Sequence, residues 1–213
     1  MMKPKVAIVD YGAGNLHSVA NALAYVGAEV QVTADFGELI DTRGVIVPGV
    51  GTFAHCMDGL NAAYIPRLVE RRLAGGRAVL GICIGLQVMA EASAEDDYAT
   101  AGMGQWPVRV ERLRAPVVPH MGWTKLQVPP AAKLLAGMDG ERMYFLHSYA
   151  ITTDPAAVMG ESKTTKPVAT WAHHGTPFVA AIENGPLTAM QFHPEKSGDA
   201  GLEILTRWVK QLP

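Results

Sequence analysis

Short apolar runs alternate with helical patterns through the first 90 residues, and this alternation constrains the fold more than any other feature of the sequence. The apolar runs lie at residues 6–9, 29–33, 45–47 and 78–82. Apolar residues recur at helical spacing from Leu16 to Val26 and again over residues 60–73. Strands that alternate with helices form a mostly parallel sheet with helices on both faces, so the sequence predicts an α/β fold.

The second half of the chain has a different pattern. Strand-like runs separated by Pro, Gly and Asn turns lie at residues 108–113, 143–149, 168–172, 178–183 and 187–192. This pattern favours a mixed or antiparallel extension of the sheet over further βαβ units. A surface loop is expected at residues 93–104, and a C-terminal amphipathic helix carries Leu202, Leu205, Val209 and Leu212 on one face. We expect one domain over residues 1–213.

Composition excludes several classes of function. Of the 213 residues, 49% are hydrophobic and 18% charged, which is enough apolar material for a buried core. A net charge of −2 gives no basic surface for nucleic acid or an anionic membrane. No apolar stretch approaches the ~20 residues of a membrane helix, and the N-terminal run is too short for a signal peptide. Two cysteines, Cys56 and Cys83, form no disulfide framework, so we expect a cytoplasmic protein.

Residues 81–85, Gly-Ile-Cys-Ile-Gly, follow the fourth apolar run and open into another apolar stretch, residues 86–90. A strand, a tight turn and a helix would place Cys83 at the turn, where the flanking glycines let the backbone fold sharply. This is the form of a nucleophile elbow, with cysteine in place of serine. The helix N-terminus would favour the thiolate, the reactive form of cysteine. The alternative is a buried cysteine that only packs in the core.

A cysteine nucleophile needs a base, and the base needs an orienting group. His193 follows a strand-like run, and Pro194 favours an extended backbone at His193. Because residues two apart in an extended chain point to the same side, Glu195 is expected to hold the imidazole ring. The sequence thus predicts Cys83 as nucleophile, His193 as general base and acid, and Glu195 as the orienting carboxylate. A surface ion pair between His193 and Glu195 is the alternative.

Acyl transfer also needs N–H donors for the oxyanion. The backbone N–H of Ile84, directly after the nucleophile, is one candidate. The other is expected from residues 48–51, Pro-Gly-Val-Gly, whose glycines let a substrate approach the backbone, although a plain turn would look the same. Open α/β sheets bind ligands at the carboxyl ends of their strands, so the glycine-rich loops 11–15, 48–52 and 81–85 are expected to line one cleft.

The sequence contains no pattern typical of a metal or dinucleotide site. It has neither Cys-x-x-Cys nor His-Glu-x-x-His, and the adjacent His173 and His174 would face opposite ways in an extended segment. Gly12 and Gly14 lack the third glycine of a dinucleotide fingerprint. We expect no bound metal and no cofactor.

Several motifs together resemble those of class I, triad-type glutamine amidotransferases. They are Gly-Ile-Cys-Ile-Gly-Leu-Gln at residues 81–87, Pro-Gly-Val-Gly at 48–51 and His-Pro-Glu at 193–195. Four further segments resemble the glutaminase subunits of imidazole glycerol phosphate synthase, at residues 10–16, 119–123, 144–149 and 191–198. The resemblance extends from about Val6 to Trp208 and implies the flavodoxin-like α/β fold of this family.

The resemblance implies that the chain hydrolyses glutamine to glutamate and ammonia. Cys83 would attack the side-chain amide carbon, water would cleave the resulting thioester, and His193 would transfer protons in both steps. In this family the N–H of Val50 is the second oxyanion donor, and the orientation of its peptide gates activity. The residues implied to bind glutamine are Gly51, Gln87, Ser148 and Tyr149.

The resemblance also implies a partner, a (β/α)₈-barrel cyclase that forms a heterodimer with the glutaminase and uses its ammonia in histidine biosynthesis. The residues implied to lie near the partner are Asn15, His120, Trp123, Tyr144 and Lys196. One position departs from the family, because residue 124 is Thr where Asn is usual, and the hydrogen bonds of an Asn amide are not available there. We expect low activity of the free chain and strong activation once the cyclase binds its nucleotide.

Three other functions remain compatible with parts of this sequence. A triad amidotransferase serving another acceptor is disfavoured by the segments at residues 10–15 and 119–123. A Cys-His peptidase on a related scaffold would carry its acid elsewhere and would lack Gln87 after the elbow. A non-catalytic binding subunit is disfavoured because all three predicted triad residues are present.

Overall fold

The computed structural model describes residues 3–12, 14–95, 99–159 and 165–212. Its strands are β1 (Lys5–Val9), β2 (Glu29–Thr33), β3 (Gly44–Gly49), β4 (Ala78–Cys83), β5 (Ala90–Ser93), β6 (Thr100–Ala101), β7 (Trp106–Arg112), β8 (His120–Lys125), β9 (Arg142–His147), β10 (Tyr149–Ile151), β11 (Val168–His174), β12 (Thr176–Asn184) and β13 (Leu187–Met190). Its helices are α1 (Leu16–Tyr25), α2 (Phe36–Asp41), α3 (Phe53–Ala62), α4 (Ile65–Ala74), α5 (Ile84–Gln87), α6 (Pro155–Val158) and α7 (Gly198–Lys210).

The largest sheet has seven strands in the order β11-β12-β13-β4-β3-β1-β2. The neighbours from β2 to β13 run parallel, while β12 and β11 continue the sheet antiparallel. The predicted α/β fold, with a mostly parallel sheet and an antiparallel extension, is confirmed. Smaller sheets, β10-β7-β5-β6 and β8-β9, lie outside this central sheet.

The central strands are apolar because both of their faces are covered. All six residues of β3 are buried, as are the last five of β4 and the last four of β1. Burial on both faces is the usual environment of parallel strands joined by helices. The carboxyl ends of β3, β4 and β13 lie side by side. Cys83 is the last residue of β4, and Val50 and His193 follow β3 and β13.

The single helix predicted over residues 60–73 is two helices. The first, α3, ends at Ala62, and Tyr64 then adopts a left-handed conformation with φ 56° before α4 begins at Ile65. Pro66 has no N–H to donate, so it fits only the first turn of a helix. Apolar spacing continues across this break, and the spacing alone therefore could not show it.

The run predicted at residues 143–149 divides at Ser148. Its first part is β9, which pairs with β8, and its second part is β10, which pairs with β7 in another sheet. The loop predicted at residues 93–104 contains the end of β5 and all of β6. The part of that prediction covering residues 96–98 lies outside the described residues, as does Ala13 in the first glycine-rich loop.

The C-terminal helix is amphipathic as predicted, with Leu205 and Val209 buried and Leu202 partly buried. The prediction was wrong for Leu212, because α7 ends at Lys210 and Leu212 lies beyond it. Across the described residues, we find no helix with the length and apolarity to cross a bilayer.

Candidate active site

Cys83 lies where β4 passes into α5, at φ 57° and ψ −110°. Positive φ is rare for a residue with a side chain, and it turns the chain sharply here. The flanking glycines are required by packing, because a Cβ at Gly85 would lie 1.9 Å from the Val47 carbonyl oxygen and one at Gly81 would lie 2.4 Å from the Gly85 oxygen. The helix after Cys83 has only four residues, so its dipole is a weaker support for a thiolate than the sequence suggested.

His193 and Glu195 form a buried pair beside this turn. The Nδ1 atom of His193 lies 2.9 Å from Oε1 of Glu195, and their side chains are 6% and 1% exposed. His193 has the extended backbone that Pro194 predicted, at φ −98° and ψ 96°, but the chain does not stay extended as far as Glu195. Residues Pro194–Lys196 form a short 3₁₀ turn, and the Ser197 hydroxyl donates a hydrogen bond to the His193 carbonyl across it.

Hydrogen bonds keep the His193 ring protonated. Burial lowers the pKa of His193, but hydrogen bonds with Cys83 and with Glu195 raise it, and the net result is a pKa of about 9. Because a carboxylate only accepts, Nδ1 carries a proton and Nε2 is left for Cys83. At neutral pH this arrangement places an imidazolium beside the sulfur, so it can protonate a leaving nitrogen.

A cavity of about 280 Å³ opens next to Cys83. It brings together most of the residues that the sequence predicted for catalysis, oxyanion binding and glutamine binding. They are Val50, Gly51, Cys83, Ile84, Gln87, Ser148, Tyr149 and His193. Glu195 lies behind His193 rather than on the wall. Of the three glycine-rich loops expected here, those at 48–52 and 81–85 reach the wall, whereas the described residues of loop 11–15 do not.

Two buried glutamines connect the cavity floor to the nucleophile. Gln87 Nε2 donates to the carbonyl oxygen of Tyr149 at 2.8 Å and to Oε1 of Gln191 at 3.0 Å. Gln191 Nε2 in turn lies 3.7 Å from the Cys83 sulfur. Sequence reasoning gave Gln191 no role, although it precedes His193 by two residues at the end of β13. Gln87 Oε1 is buried and accepts no hydrogen bond from the described residues.

Glu95 lines the cavity wall and was also missed by the sequence analysis. Its Oε2 atom accepts the N–H of Phe53 at 2.6 Å, at the first residue of α3. The residue fell within a segment interpreted as a polar surface loop, and only the fold brings it to the cavity. Among the described residues that line the cavity, Glu95 is the sole carboxylate.

The residues predicted to face a partner divide into two groups. Trp123 and Tyr144 are opposite each other on β8 and β9, with ring centroids 6.0 Å apart, and Trp123 is 51% exposed. Lys196 is exposed and lines the cavity mouth, and Asn15 precedes α1 at its N-cap position. His120 is only 3% exposed, so its side chain belongs to the interior rather than to the surface.

Thr124, where the family usually has Asn, forms a side-chain hydrogen bond with His120. Its hydroxyl lies 2.8 Å from His120 Nε2, and His120 Nδ1 lies 3.1 Å from His147 Nε2. His147 Nδ1 lies 2.9 Å from the carbonyl oxygen of Tyr149. Burial lowers the pKa of His120 to about 4 and that of His147 to about 3, so both rings are neutral.

Because both imidazole rings are neutral, the direction of each hydrogen bond between Thr124 and Tyr149 is fixed. A carbonyl only accepts, so His147 Nδ1 is the donor to Tyr149 and its Nε2 must accept from His120 Nδ1. His120 Nε2 then accepts from Thr124, whose hydroxyl is the donor. A continuous hydrogen-bonded chain therefore extends from the partly exposed strand β8 to the backbone of the cavity.

No group of three or more potential metal ligands lies together within the described ranges.

The structure places a cysteine at positive φ, a buried His-Glu pair and a glycine-rich loop together beside one parallel sheet, and comparison with known proteins shows that the chain is a class I glutamine amidotransferase. Residues 7–212 match the family model described as glutamine amidotransferase class-I. Two solved structures share the fold: PurLQS from Thermotoga maritima, with a TM-score of 0.71 and 19% identity over all of both chains, and the Trypanosoma brucei CTPS glutaminase domain with bound acivicin, with a TM-score of 0.67 and 15% identity over 99% of this chain and 97% of that one.

Comparison with curated relatives assigns the chain to one group within the class I glutamine amidotransferases. Imidazole glycerol phosphate synthase subunit HisH of Thermobifida fusca is 50% identical over 99% of this chain and all of its own length. The protein of the same name from Nocardia farcinica is 50% identical over the whole of both chains. The chain therefore belongs to the HisH family of imidazole glycerol phosphate synthase subunits.

Proposed function

We propose that this chain hydrolyses glutamine with Cys83 as nucleophile and supplies the ammonia to a (β/α)₈-barrel cyclase in histidine biosynthesis. The observation that carries the proposal is the position of Cys83, at positive φ on the cavity wall, within hydrogen-bonding reach of a His193 ring that a buried Glu195 orients. Membership of the HisH family supports the same activity.

The first half of the reaction forms a thioester. The Cys83 thiolate attacks the side-chain amide carbon of glutamine, and the electron pair of the carbonyl double bond moves to oxygen. The N–H groups of Val50 and Ile84 stabilise this oxyanion. When the double bond re-forms, the carbon–nitrogen bond breaks, the His193 imidazolium gives its proton to the nitrogen, and ammonia leaves.

The second half returns the enzyme to its starting state. Neutral His193 now takes a proton from water, whose oxygen attacks the thioester carbon. The carbon–sulfur bond breaks, glutamate leaves, and the sulfur is again a thiolate beside an imidazolium. Glu195 keeps its charge throughout and holds Nδ1 of the ring.

Substrate recognition follows from the cavity wall. The Glu95 carboxylate is the countercharge for the α-ammonium group of glutamine. Oε1 of Gln87 accepts no hydrogen bond from the described residues and is therefore available to the substrate. Gly51, in the loop at residues 48–51, borders open space, since a Cβ there would meet no atom within 4 Å. The backbone at Ser148 and Tyr149 completes the site.

The partner surface is proposed to be the outer face of β8 and β9. Met121, Trp123 and Leu146 are 68%, 51% and 40% exposed, and Leu146 also lines the cavity. Large exposed apolar residues that border an active site are typical of an interface. Lys196 adds a cation at the same edge. Because Cys56 and Cys83 are both free thiols, we also propose that the chain works in the cytoplasm, where thiols stay reduced.

The test is release of glutamate from glutamine by the chain alone and with the barrel cyclase carrying its ribonucleotide ligand. We expect weak activity alone and strong activation in the complex, loss of activity in Cys83→Ala and His193→Asn, and full activity in the control His173→Asn, which alters an exposed histidine of β11. Sedimentation should show that Cys83→Ala still binds the cyclase.

Three other results would contradict parts of this proposal. Equal rates for the free and bound chain would agree with the catalytic triad but would contradict activation by the cyclase. Full activity of Cys83→Ala would show that Cys83 is not the nucleophile. An inactive wild-type complex that still assembles would identify the chain as a non-catalytic subunit.

A further inference from the structure

Two side chains that are not part of the cavity wall form hydrogen bonds with the oxyanion loop, residues 48–51. The Tyr11 hydroxyl donates a hydrogen bond to the carbonyl oxygen of Pro48 at 2.7 Å. The Cys56 thiol donates one to the carbonyl oxygen of Val50 at 3.3 Å. Neither residue lines the cavity, and Cys56 is 0% exposed. The proposed reaction uses neither group.

Both groups remain protonated at neutral pH and therefore act as donors. Burial raises the pKa of Tyr11, and it also raises the pKa of Cys56. The phenol and the thiol interact with each other as well, so the two contacts form one cluster. A carbonyl can only accept, and this fixes the direction of both hydrogen bonds.

The Pro48 and Val50 carbonyl groups, which accept these hydrogen bonds, lie on either side of the peptide group that joins Gly49 to Val50. That peptide carries the Val50 N–H, the second oxyanion donor of the proposed function. A Cβ at Gly49 would lie 2.6 Å from Cβ of Ile84 and 3.1 Å from the Tyr11 hydroxyl oxygen. The loop therefore packs directly between Tyr11 and the residue that gives the first oxyanion donor.

A single peptide group can rotate while its neighbours stay in place, by opposite changes of ψ before it and φ after it. Gly49 has no side chain, so it permits such a rotation more readily than other residues. Holding the carbonyls of Pro48 and Val50 fixes the neighbouring peptides and leaves the group between them as the movable part of the loop.

We propose that Tyr11 and Cys56 are positioning residues for glutamine hydrolysis, which fix the two ends of the oxyanion loop so that only the Gly49–Val50 peptide turns its N–H toward or away from the substrate. This inference rests on the proposed function. It assigns the two side chains a role in the rate of the chemical steps and none in glutamine binding.

The experiment compares Tyr11→Phe, Cys56→Ala and Cys56→Ser in complex with the ligand-loaded cyclase. Loss of one hydrogen bond that acts on the oxyanion donor should lower kcat for glutamine hydrolysis about five- to tenfold in Tyr11→Phe and about twofold or more in Cys56→Ala, because thiols are weak donors. KM for glutamine should not change. Cys56→Ser keeps a donor and should restore most of the rate.

Alkylation of Cys83 by iodoacetamide separates positioning from general damage. Alkylation needs the nucleophile but no oxyanion donor, so its rate should equal that of wild type in every variant. Leu60→Val, which trims another buried residue of α3, is the packing control and should keep kcat.

Unchanged kcat in both Tyr11→Phe and Cys56→Ala, with an active wild type, would overturn the inference and leave the proposed function intact. Raised KM, slowed alkylation or an equal loss in Leu60→Val would also overturn it, because each indicates a general structural effect. An inactive wild-type complex would instead reject the proposed function.

Discussion

At the scale of single residues, the site depends on side chains whose surroundings leave them one role each. Glu195 is an example, because its Oε1 atom holds His193 while its Oε2 atom is buried with no hydrogen-bond partner among the described residues. The carboxylate charge is therefore directed at one imidazole ring. It is one of two partners that keep the pKa of His193 raised against the opposing effect of burial.

Glu195→Gln should preserve the shape of the site but remove this charge. The pKa of His193 should fall from about 9, so the ring loses its proton at a lower pH. Activity that requires the imidazolium disappears as pH rises through this pKa, and the alkaline limb of the kcat profile should move to lower pH. At neutral pH we expect a loss of roughly 10²- to 10⁴-fold.

The measurement is a pH profile of glutamate release by the complex. Glu203→Gln is the matched control, since Glu203 forms an exposed pair with Arg207 on α7. A profile of Glu195→Gln that keeps its alkaline limb in place would contradict this account of the His193 pKa.

Sequence reasoning could assign the residues whose roles depend on their neighbours in the chain. Cys83 with its two glycines, and His193 with Glu195, are such residues, and they lie where they were expected. It missed Cys56, whose hydrogen bond to Val50 spans only six residues but depends on the turn before α3. It also missed Glu95, Gln191 and Tyr11, because each acts through a residue more than 30 positions away in sequence. Only the folded sheet brings these pairs together.

At the scale of elements, one buried arginine joins three parts of the α/β layer. The Arg72 guanidinium donates to the carbonyl oxygens of Leu39, Ile40 and Thr42 at the end of α2, to that of Arg43, and to that of Ala78 at the start of β4. Its side chain is fully buried. Burial lowers the pKa of Arg72 to about 10, which still leaves it charged at neutral pH.

Arg72→Met should lower the free energy of unfolding by about 3 to 5 kcal/mol, because five carbonyls lose a charged donor inside the protein. Lysine cannot replace it, since a single ammonium lacks the planar fork of donors. Urea unfolding measures the loss. The neighbouring Arg71 is exposed, and Arg71→Met should change the unfolding free energy by less than about 0.5 kcal/mol. Equal effects at the two positions would refute the argument.

Helices and strands were predicted correctly where the spacing of apolar residues determines them, and incorrectly where it does not. Strand β2 has the bounds predicted for it, and the parallel core followed from the apolar runs. The break at Tyr64 depends on one left-handed residue, and the division at Ser148 depends on pairing with two different sheets. Neither leaves a mark in the apolar pattern. Helix α2 was missed because it is six residues long and has one buried side chain.

At the scale of the whole molecule, the exposed face of β8 and β9 is the surface through which we propose that the chain binds its partner. Trp123 is the largest exposed side chain there, and interface energy concentrates in such aromatic anchors. Trp123→Ala should weaken the affinity for the cyclase at least tenfold, about 1.4 kcal/mol, while kcat at saturating cyclase stays near that of wild type.

Titration of glutaminase activation with cyclase gives both numbers. Tyr25→Ala is the control, because Tyr25 is a 79% exposed aromatic residue at the far end of α1. If both variants bind equally well, the partner must dock elsewhere on the surface.

The position of β13 beside β4 has a consequence for how the protein is made. The nucleophile lies at the end of β4, whereas the base follows β13, and the two strands pair through residues 79–82 and 187–190. A ribosome must therefore synthesise the chain from β4 through β13 before the two halves of the site can meet. A nascent chain that ends before Leu187 contains the reactive thiol but no base, so the cell's glutamine is not consumed by unfinished copies of the enzyme.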